Sequence, residues 1–355
     1  MKTKHIEPGA PMMAHGMGRK SSYSESAGKE FACRCLRKRR GLLHGRFLLA
    51  VAVALVGGVS TVFAAPNSFV SVPDTVERGD VFRAVVRNPS EVAFVSDEGV
   101  RVADTQAFPL TLTRDIRVAV ALLGVPSTLS PGTYALELRE NGSVVERVAL
   151  TVEMREFARQ RIALNGSLTA LRSEPDPRKV EQAKELIALV GRINPSAVFS
   201  NGSFDIPVAE YRRTSAYGDR RTYAYSDGGT ARAIHFGVDL AADTGTPVYA
   251  SAPGTVAFAG DRIVTGLSVV IEHLPGVYGL YYHLDTMSVS PGDRVARGGR
   301  IGTIGATGLA TGPHLHWEIR VAGVPVEPKL LVDGVLLDRP GIYRDIFKQQ
   351  ISEGR

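Results

Sequence analysis

The feature that most constrains the fold of this chain is a dense series of glycines in its C-terminal half. These glycines separate short apolar runs rich in β-branched residues, and they are Gly245, Gly254, Gly260, Gly266, Gly276, Gly279, Gly292, Gly298, Gly302, Gly305, Gly308 and Gly312. Glycine readily adopts the positive φ of tight turns and weakens the interior of a helix. Short apolar runs bounded by turns are typical of antiparallel strands. We therefore expect a glycine-rich antiparallel β domain over residues 204–329.

The charge of the chain is distributed unevenly. The whole chain of 355 residues carries a formal net charge of +6. The first 64 residues hold 11 Lys and Arg against 3 Asp and Glu, a surplus of +8, which leaves −2 for the remainder. Nucleic acid attracts proteins mainly through its phosphates. A nearly neutral remainder therefore argues against a nucleic-acid partner.

The basic residues lead into an uncharged, mostly apolar segment, residues 47–64. A basic region followed by an apolar run and small residues is typical of an export signal, and we expect cleavage before Ala65. The alternative is that residues 47–64 stay attached as a membrane anchor, which is the only membrane contact we expect. Either way, the basic flank predicts that the rest of the chain is exported to the periplasm or cell envelope.

Residues 66–152 predict a β-sandwich of immunoglobulin-like type. Six segments have mostly alternating patterns, and Asn141-Gly142 between the last two is a strong hairpin signal. The six segments are 81–86, 92–95, 110–112, 117–122, 134–138 and 144–152. Catalytic residue types do not cluster here, so a spacer or docking module is favoured over an adhesion module, which stays an alternative.

The remaining segments complete a mainly β chain. Residues 153–203 predict a partly helical connector, because Asp176 and Pro177 form a helix start while Gly191 and Pro195 form a stop. Residues 330–355 are expected to be a C-terminal tail.

Histidines indicate where the chemistry lies. All five histidines after the leader fall within residues 235–316. His314 and His316 share one face of a strand, and His235 and Asp239 align on an extended segment. Both cysteines of the chain lie in the leader, so a zinc ion in the exported part would need nitrogen and oxygen ligands. Two imidazoles and one carboxylate form a three-ligand zinc set that leaves a position open for water.

Residues 204–329 resemble the lysostaphin/LytM-type zinc metallopeptidases, which cut peptides of bacterial peptidoglycan. The matching motifs, in family order, are His235-x-x-x-Asp239, Gly245-Thr-Pro-Val-Tyr-Ala, Gly254-Thr-Val, Val270-Ile-Glu-His273, Tyr282-His283-Leu284, Gly308-Leu-Ala-Thr311-Gly312 and His314-x-His316. The resemblance implies one zinc per chain, held by His235, Asp239 and His316. It assigns proton transfer and oxyanion stabilisation to His283 and His314.

The resemblance also suggests residues on the substrate side. Tyr217, Arg220 and Thr311 match positions near the family's substrate groove, and His273 is either structural or on the substrate side. The predicted function is a zinc endopeptidase whose partners are stem or cross-link peptides of peptidoglycan. The alternative is a catalytically silent relative that regulates a cell-wall amidase.

Overall fold

The computed structural model describes residues 67–352, so the predicted leader and anchor, residues 1–64, lie outside the described residues. Within the described part, no helix is both long and apolar enough to cross a membrane. Strands dominate this part, and the expected mainly β class is confirmed.

The first nine strands form two sheets. They are β1 (Phe69–Ser71), β2 (Thr75–Glu77), β3 (Val81–Val86), β4 (Glu91–Ser96), β5 (Arg101–Gln106), β6 (Phe108–Thr111), β7 (Arg117–Gly124), β8 (Gly132–Glu140) and β9 (Ser143–Glu153). One sheet has the order β1-β3-β7-β6 and the other β2-β9-β8-β4-β5. All six strands predicted in this region are present. The immunoglobulin-like type of the region stays a prediction.

Strand β7 is buried on both of its faces. Val118, Val120 and Leu122 pack into the apolar core of the C-terminal domain. Ala119 and Leu123, which point the other way, pack into the core between the two N-terminal sheets. Successive side chains of a strand point to opposite faces, so the four-stranded sheet is covered on one side by its partner sheet and on the other by the C-terminal domain. This double burial explains why β7 is apolar at nearly every position.

The connector contains a strand as well as helices. Its elements are β10 (Arg159–Ala163), α1 (Gly166–Ser173) and α2 (Pro177–Val190). Helix α2 begins and ends as predicted, with the Asp176 carboxylate accepting a hydrogen bond from the Arg178 amide and Gly191 at the C-terminus. Strand β10 was not predicted, because its sequence of alternating exposed and half-buried residues lacks a strong apolar signal.

The C-terminal domain contains one large sheet and most of a smaller, three-stranded sheet. Its strands are β11 (Arg212–Ser215), β12 (Arg220–Ala224), β13 (Thr230–Ile234), β14 (Gly237–Ala241), β15 (Pro247–Tyr249), β16 (Gly254–Arg262), β17 (Gly266–Leu274), β18 (Val277–Met287), β19 (Arg294–Val295), β20 (Arg300–Ile304), β21 (Leu315–Val321) and β22 (Val324–Val326). The main path is β11-β14-β21-β18-β17-β16-β19, with β15, β20 and β22 attached to it. Strands β10, β12 and β13 form a separate three-stranded sheet.

Most of the predicted tail is helical. Helices α3 (Lys329–Asp333) and α4 (Arg339–Ser352) follow β22. Ile342 and Ile346 of α4 are buried in the core that the four-stranded sheet shares with the large sheet. Asp345 also accepts a hydrogen bond from Ser71 on β1. Two apolar side chains one helical turn apart thus anchor the predicted tail to the rest of the fold.

Candidate metal centre

Two neighbouring strands bring the predicted metal ligands together. Asp239 on β14 and His316 on β21 are direct cross-strand partners. His235 lies two residues before β14. One nitrogen or oxygen atom from each residue lies within 4.8 Å of the others; His235 and Asp239 are buried, and the His316 side chain is 11% exposed. His316 therefore meets His235 and Asp239, which lie 81 and 77 positions earlier in the sequence, because β14 pairs with β21.

The ligand atoms form a small triangle. His235 Nε2 lies 3.0 Å from Asp239 Oδ1 and 2.9 Å from His316 Nδ1. His316 Nδ1 lies 3.0 Å from Asp239 Oδ1. A tetrahedral zinc with bonds of about 2.0–2.2 Å would hold its ligand atoms about 3.3–3.6 Å apart. The triangle therefore needs to open by only about half an ångström to fit zinc.

In each ligand imidazole, the ring nitrogen that faces away from the metal position has its own polar partner. His235 Nδ1 donates to the Ala216 carbonyl at 2.8 Å. His316 Nε2 lies 3.5 Å from Glu318 Oε2. Such partners fix the ring and its tautomer, so that a lone pair faces the metal position. The three ligand atoms, together with the groups that hold the two imidazole rings, are therefore suited to bind a zinc ion.

Gly237 allows β14 and β21 to approach each other at the ligands. A Cβ at this position would lie 2.3 Å from the Trp317 carbonyl oxygen and 2.8 Å from His316 Nε2. Real Cβ atoms do not approach other atoms so closely. Glycine is therefore required here by the neighbouring backbone and by a ligand ring.

Two further imidazoles stand beside the triangle. The rings of His283 and His314 are 4.8 Å apart, and His314 Nε2 lies 3.7 Å from Asp239 Oδ1. His283 Nδ1 donates to the Thr307 carbonyl at 2.7 Å, and His314 Nδ1 donates to the Gly312 carbonyl at 2.8 Å. In both rings the Nε2 lone pair is left available for a proton.

His283 reaches the site through an irregularity of β18. Its φ is +62°, in the left-handed region that side chains rarely adopt. The pairing of β17 with β18 shifts register at this point. As a result Tyr282, stacked on His316 at 5.5 Å, and His283 both line the site, although neighbouring strand residues normally point apart. Unusual backbone conformations of this kind cluster at functional sites.

Burial and neighbouring charges set the protonation of the site. Burial lowers the pKa of His283 to about 3 and also lowers the pKa of His314 and His235. Burial opposes ionisation of Asp239, but the adjacent imidazoles of His235 and His316 outweigh it and hold the carboxyl pKa well below its usual value. Burial likewise opposes the charge on His316, yet Asp239 and Glu318 raise its pKa to about 9. The carboxylates thus favour positive charge at the ligand triangle.

Arg221 is a site residue that the sequence did not indicate. Its Nη2 donates to Asp239 Oδ2, the carboxylate oxygen outside the triangle, and its Nε donates to Gln160 at 3.0 Å. Gln160 in turn donates to Ser215 at 3.1 Å. Since Gln160 belongs to β10, the connector contributes directly to the support of a metal ligand. Gln160 and Arg221 meet because β10 pairs in parallel with β12.

The triangle and the two histidines open into a cavity of about 550 Å³. Its walls include Thr311 and Tyr282 from the C-terminal domain, and Gln160 and Arg172 from the connector. Arg172 lies over the Tyr223 ring at 4.0 Å. Thr311 thus lines the cavity, and its substrate-side role stays a prediction.

Three other predicted substrate-side residues do not line this cavity. Tyr217 is buried and donates its hydroxyl to the Pro325 carbonyl at 2.8 Å. Arg220 donates to the Ser127 carbonyl at 2.6 Å. His273 is fully buried, with Nδ1 2.9 Å from the Pro253 carbonyl and its ring against Phe204. Each of these side chains joins neighbouring parts of the fold, which for His273 is the structural alternative, and a substrate-side role for Tyr217 and Arg220 stays a prediction.

Two relatives of named activity match about a quarter of this chain. Over 96 residues the chain is 49% identical to the DD-carboxypeptidase/endopeptidase Mpg of Neisseria meningitidis, an alignment that covers 27% of this chain and 22% of that protein. Over 94 residues it is 46% identical to the peptidoglycan DD-endopeptidase ShyA of Vibrio cholerae, covering 26% and 22%. The chain thus spans about a fifth of the length of these relatives.

A solved structure is also similar. A putative peptidase M23 from Pseudomonas aeruginosa aligns at 26% identity over 72% of this chain and 93% of that chain, with a TM-score of 0.49. The sequence of residues 233–328 matches the protein family described as Peptidase family M23. This range contains the three predicted metal ligands and both neighbouring histidines. Residues 233–328 of this chain therefore match peptidase family M23, and the expected resemblance to lysostaphin/LytM-type metallopeptidases is confirmed.

Proposed function

We propose that this chain is a zinc-dependent endopeptidase that hydrolyses peptide bonds of bacterial peptidoglycan. The observation that carries the proposal is the convergence of His235 Nε2, Asp239 Oδ1 and His316 Nδ1 within 3.0 Å of one another, beside two imidazoles with available Nε2 atoms. His235, Asp239 and His316 would hold the zinc. When bound, zinc polarises a carbonyl and lowers the pKa of a water molecule to about 7.

His283 and His314 are suited to proton transfer. Their Nδ1–H groups are bound to backbone carbonyls, which fixes both rings with Nε2 directed away from those bonds. Because their pKa values are lowered, both rings are neutral at pH 7 and can accept a proton from the attacking water. A ring protonated in this way can donate to the developing oxyanion or return the proton to the leaving amine.

The substrate class comes from the named relatives. Mpg is described as a DD-carboxypeptidase/endopeptidase and ShyA as a peptidoglycan DD-endopeptidase, and each is 46% or more identical to about a quarter of this chain. Peptides of peptidoglycan, in stem or cross-link form, are therefore the proposed substrate. This substrate implies a location outside the cytoplasm, which agrees with the export signal predicted for the leader.

The alternative is a catalytically silent regulator of a cell-wall amidase. A silent relative has no need for a complete ligand set. Here all three ligands, the supporting Glu318 and both proton-transfer histidines are present with suitable geometry. The site therefore favours the enzyme.

The test uses the full chain and a soluble cross-linked muropeptide dimer. With zinc we expect conversion of dimer to monomers, and with a chelator we expect none. Asp239→Ala should lose both zinc and conversion, whereas His314→Ala should keep zinc and lose at least 100-fold in rate. Zinc binding without any conversion of the dimer would contradict the proposed activity, and full activity of the Asp239→Ala variant would contradict the proposed site.

A further inference from the structure

One face of the three-stranded sheet carries unusually many arginines. A groove of about 670 Å³ on this sheet is lined by Arg159, Arg161, Arg220, Arg221 and Arg232, and by no Asp or Glu. All five arginines lie outside residues 233–328, the range that matches the peptidase family: two are on β10, two on β12 and one on β13. The groove is therefore formed by the connector and the strands it pairs with, and its arginines lie outside the range that matches the family.

The strand register separates the arginines into two sets. On β12, Arg221 faces the metal centre, since it contacts Asp239. Its neighbour Arg220 faces the opposite side, where it contacts Ser127 and lies over the Phe157 ring at 4.5 Å. On β10, Gln160 also contacts Arg221 on the side of the metal centre. Because strand residues alternate, Arg159 and Arg161 must share the outer face with Arg220.

The outer arginines are close neighbours across the strands. Arg159 is the cross-strand partner of Arg220, and Arg161 and Arg232 both pair with Thr222 from opposite sides. Adjacent strands are about 4.8 Å apart, so four guanidinium groups lie within a few strand spacings of one another. Like charges at such positions destabilise a sheet unless a counter-charge is present.

That counter-charge is missing from the described part of the chain. Arg159, Arg161 and Arg232 are exposed, and no ion pair within residues 67–352 involves them. The exported part as a whole carries a net charge of −2, so this concentration of positive charge is local. Guanidinium groups bind carboxylates strongly because their paired N–H groups match the two carboxylate oxygens.

We propose that this arginine face, formed by Arg159, Arg161, Arg220 and Arg232, binds free carboxylate groups of peptidoglycan peptides. The proposal rests on the proposed function for its choice of substrate. The face lies on the sheet whose other side supports the metal ligand Asp239, so a polymer bound there is held beside the catalytic site. The face would thereby select carboxylate-rich regions of the cell wall without taking part in bond cleavage.

The test measures binding of the metal-free full chain to purified sacculi by co-sedimentation. The variant Arg159→Gln/Arg161→Gln/Arg232→Gln should bind at least tenfold more weakly at about 0.15 M salt, and its binding should depend less on salt. The matched control, Arg114→Gln/Arg117→Gln/Arg300→Gln, removes the same charge from exposed arginines elsewhere and should bind as the wild type does.

A second experiment uses the wild-type chain and changes the sacculi instead. Amidation of the carboxylates of the sacculi should weaken binding of the wild-type chain as much as the triple substitution weakens binding to untreated sacculi. Equal binding by variant and control, or undiminished binding to amidated sacculi, would overturn the proposal. Binding to phosphatidylglycerol vesicles but not to sacculi would overturn it as well. Since no metal and no hydrolysis are involved, this result is separate from the test of the peptidase activity.

Discussion

The close approach of β14 and β21 at Gly237 provides a sharp test of the metal centre, through the substitution Gly237→Ala. The added methyl group would lie 2.3 Å from the Trp317 carbonyl oxygen and 2.8 Å from His316 Nε2. Neither neighbour can move freely. Trp317 is paired with Val238 in the sheet, and His316 is held between Asp239 and Glu318.

The size of the effect follows from this geometry. To restore an ordinary contact of about 3.3 Å, the two strands must separate locally by about 1 Å, and forcing one methyl group into a packed region costs about 1–3 kcal/mol. In a folded unit of this size each kcal/mol lowers the melting temperature by about 2–4 °C. We therefore expect a fall of about 2–12 °C. Displacement of a ligand ring should weaken zinc binding by about 10- to 100-fold, the range found when groups that orient ligands are removed.

Zinc affinity is measured by competition with a chromogenic chelator, and stability by thermal unfolding of the metal-free chain. Gly312→Ala serves as the control, because a Cβ at Gly312 meets no atom within 4 Å. It should change neither zinc affinity nor stability appreciably. Wild-type zinc affinity in the Gly237→Ala variant would refute the argument that this glycine sets the ligand geometry.

Three further predictions address the ligands, the proton-transfer pair and the shared core. His316→Ala should abolish tight zinc binding, measured by metal analysis after dialysis, and with it activity; stoichiometric zinc in this variant would remove His316 from the ligand set. His283→Ala should retain zinc but lose at least 100-fold in turnover of a soluble cross-linked peptide, and full turnover would exclude a catalytic role. Leu122→Ala should lower the free energy of unfolding by about 2–5 kcal/mol, because Leu122 is 1% exposed in the core that joins β7 to the large sheet. A denaturation curve unchanged from the wild type would contradict that shared core.

Local sequence patterns predicted the strands well. The alternation of residues 81–86 and 144–152 and the Asn141-Gly142 turn depend only on near neighbours, and the strands occur at those positions. The helix after Asp176 was predictable for the same reason. Strand β10 was missed because its strand structure depends on pairing with β12, about 60 residues later in the chain.

The metal centre was partly predictable. Spacing placed His314 with His316, and His235 with Asp239, on one face of an extended segment. The resemblance to the family then selected His235, Asp239 and His316 as the ligands, and the structure brings these three together. Arg221 could not be found this way, since its contact with Asp239 depends on the docking of the connector. The position of His283 depends on a positive φ that no residue pattern indicates. Tyr217 and Arg220 matched a motif, but their side chains point to Pro325 and Ser127 instead.

The most direct measurement of the central claim is digestion of purified sacculi by the zinc-loaded full chain, followed by mass spectrometry of the products. Hydrolysis of a cross-link adds one water and releases one amine and one carboxylate, while the glycan strands stay intact. We predict that cross-linked muropeptides decrease and monomers increase in proportion, and that chelation of zinc prevents the change. An unchanged muropeptide profile from a chain that contains one zinc would contradict the account.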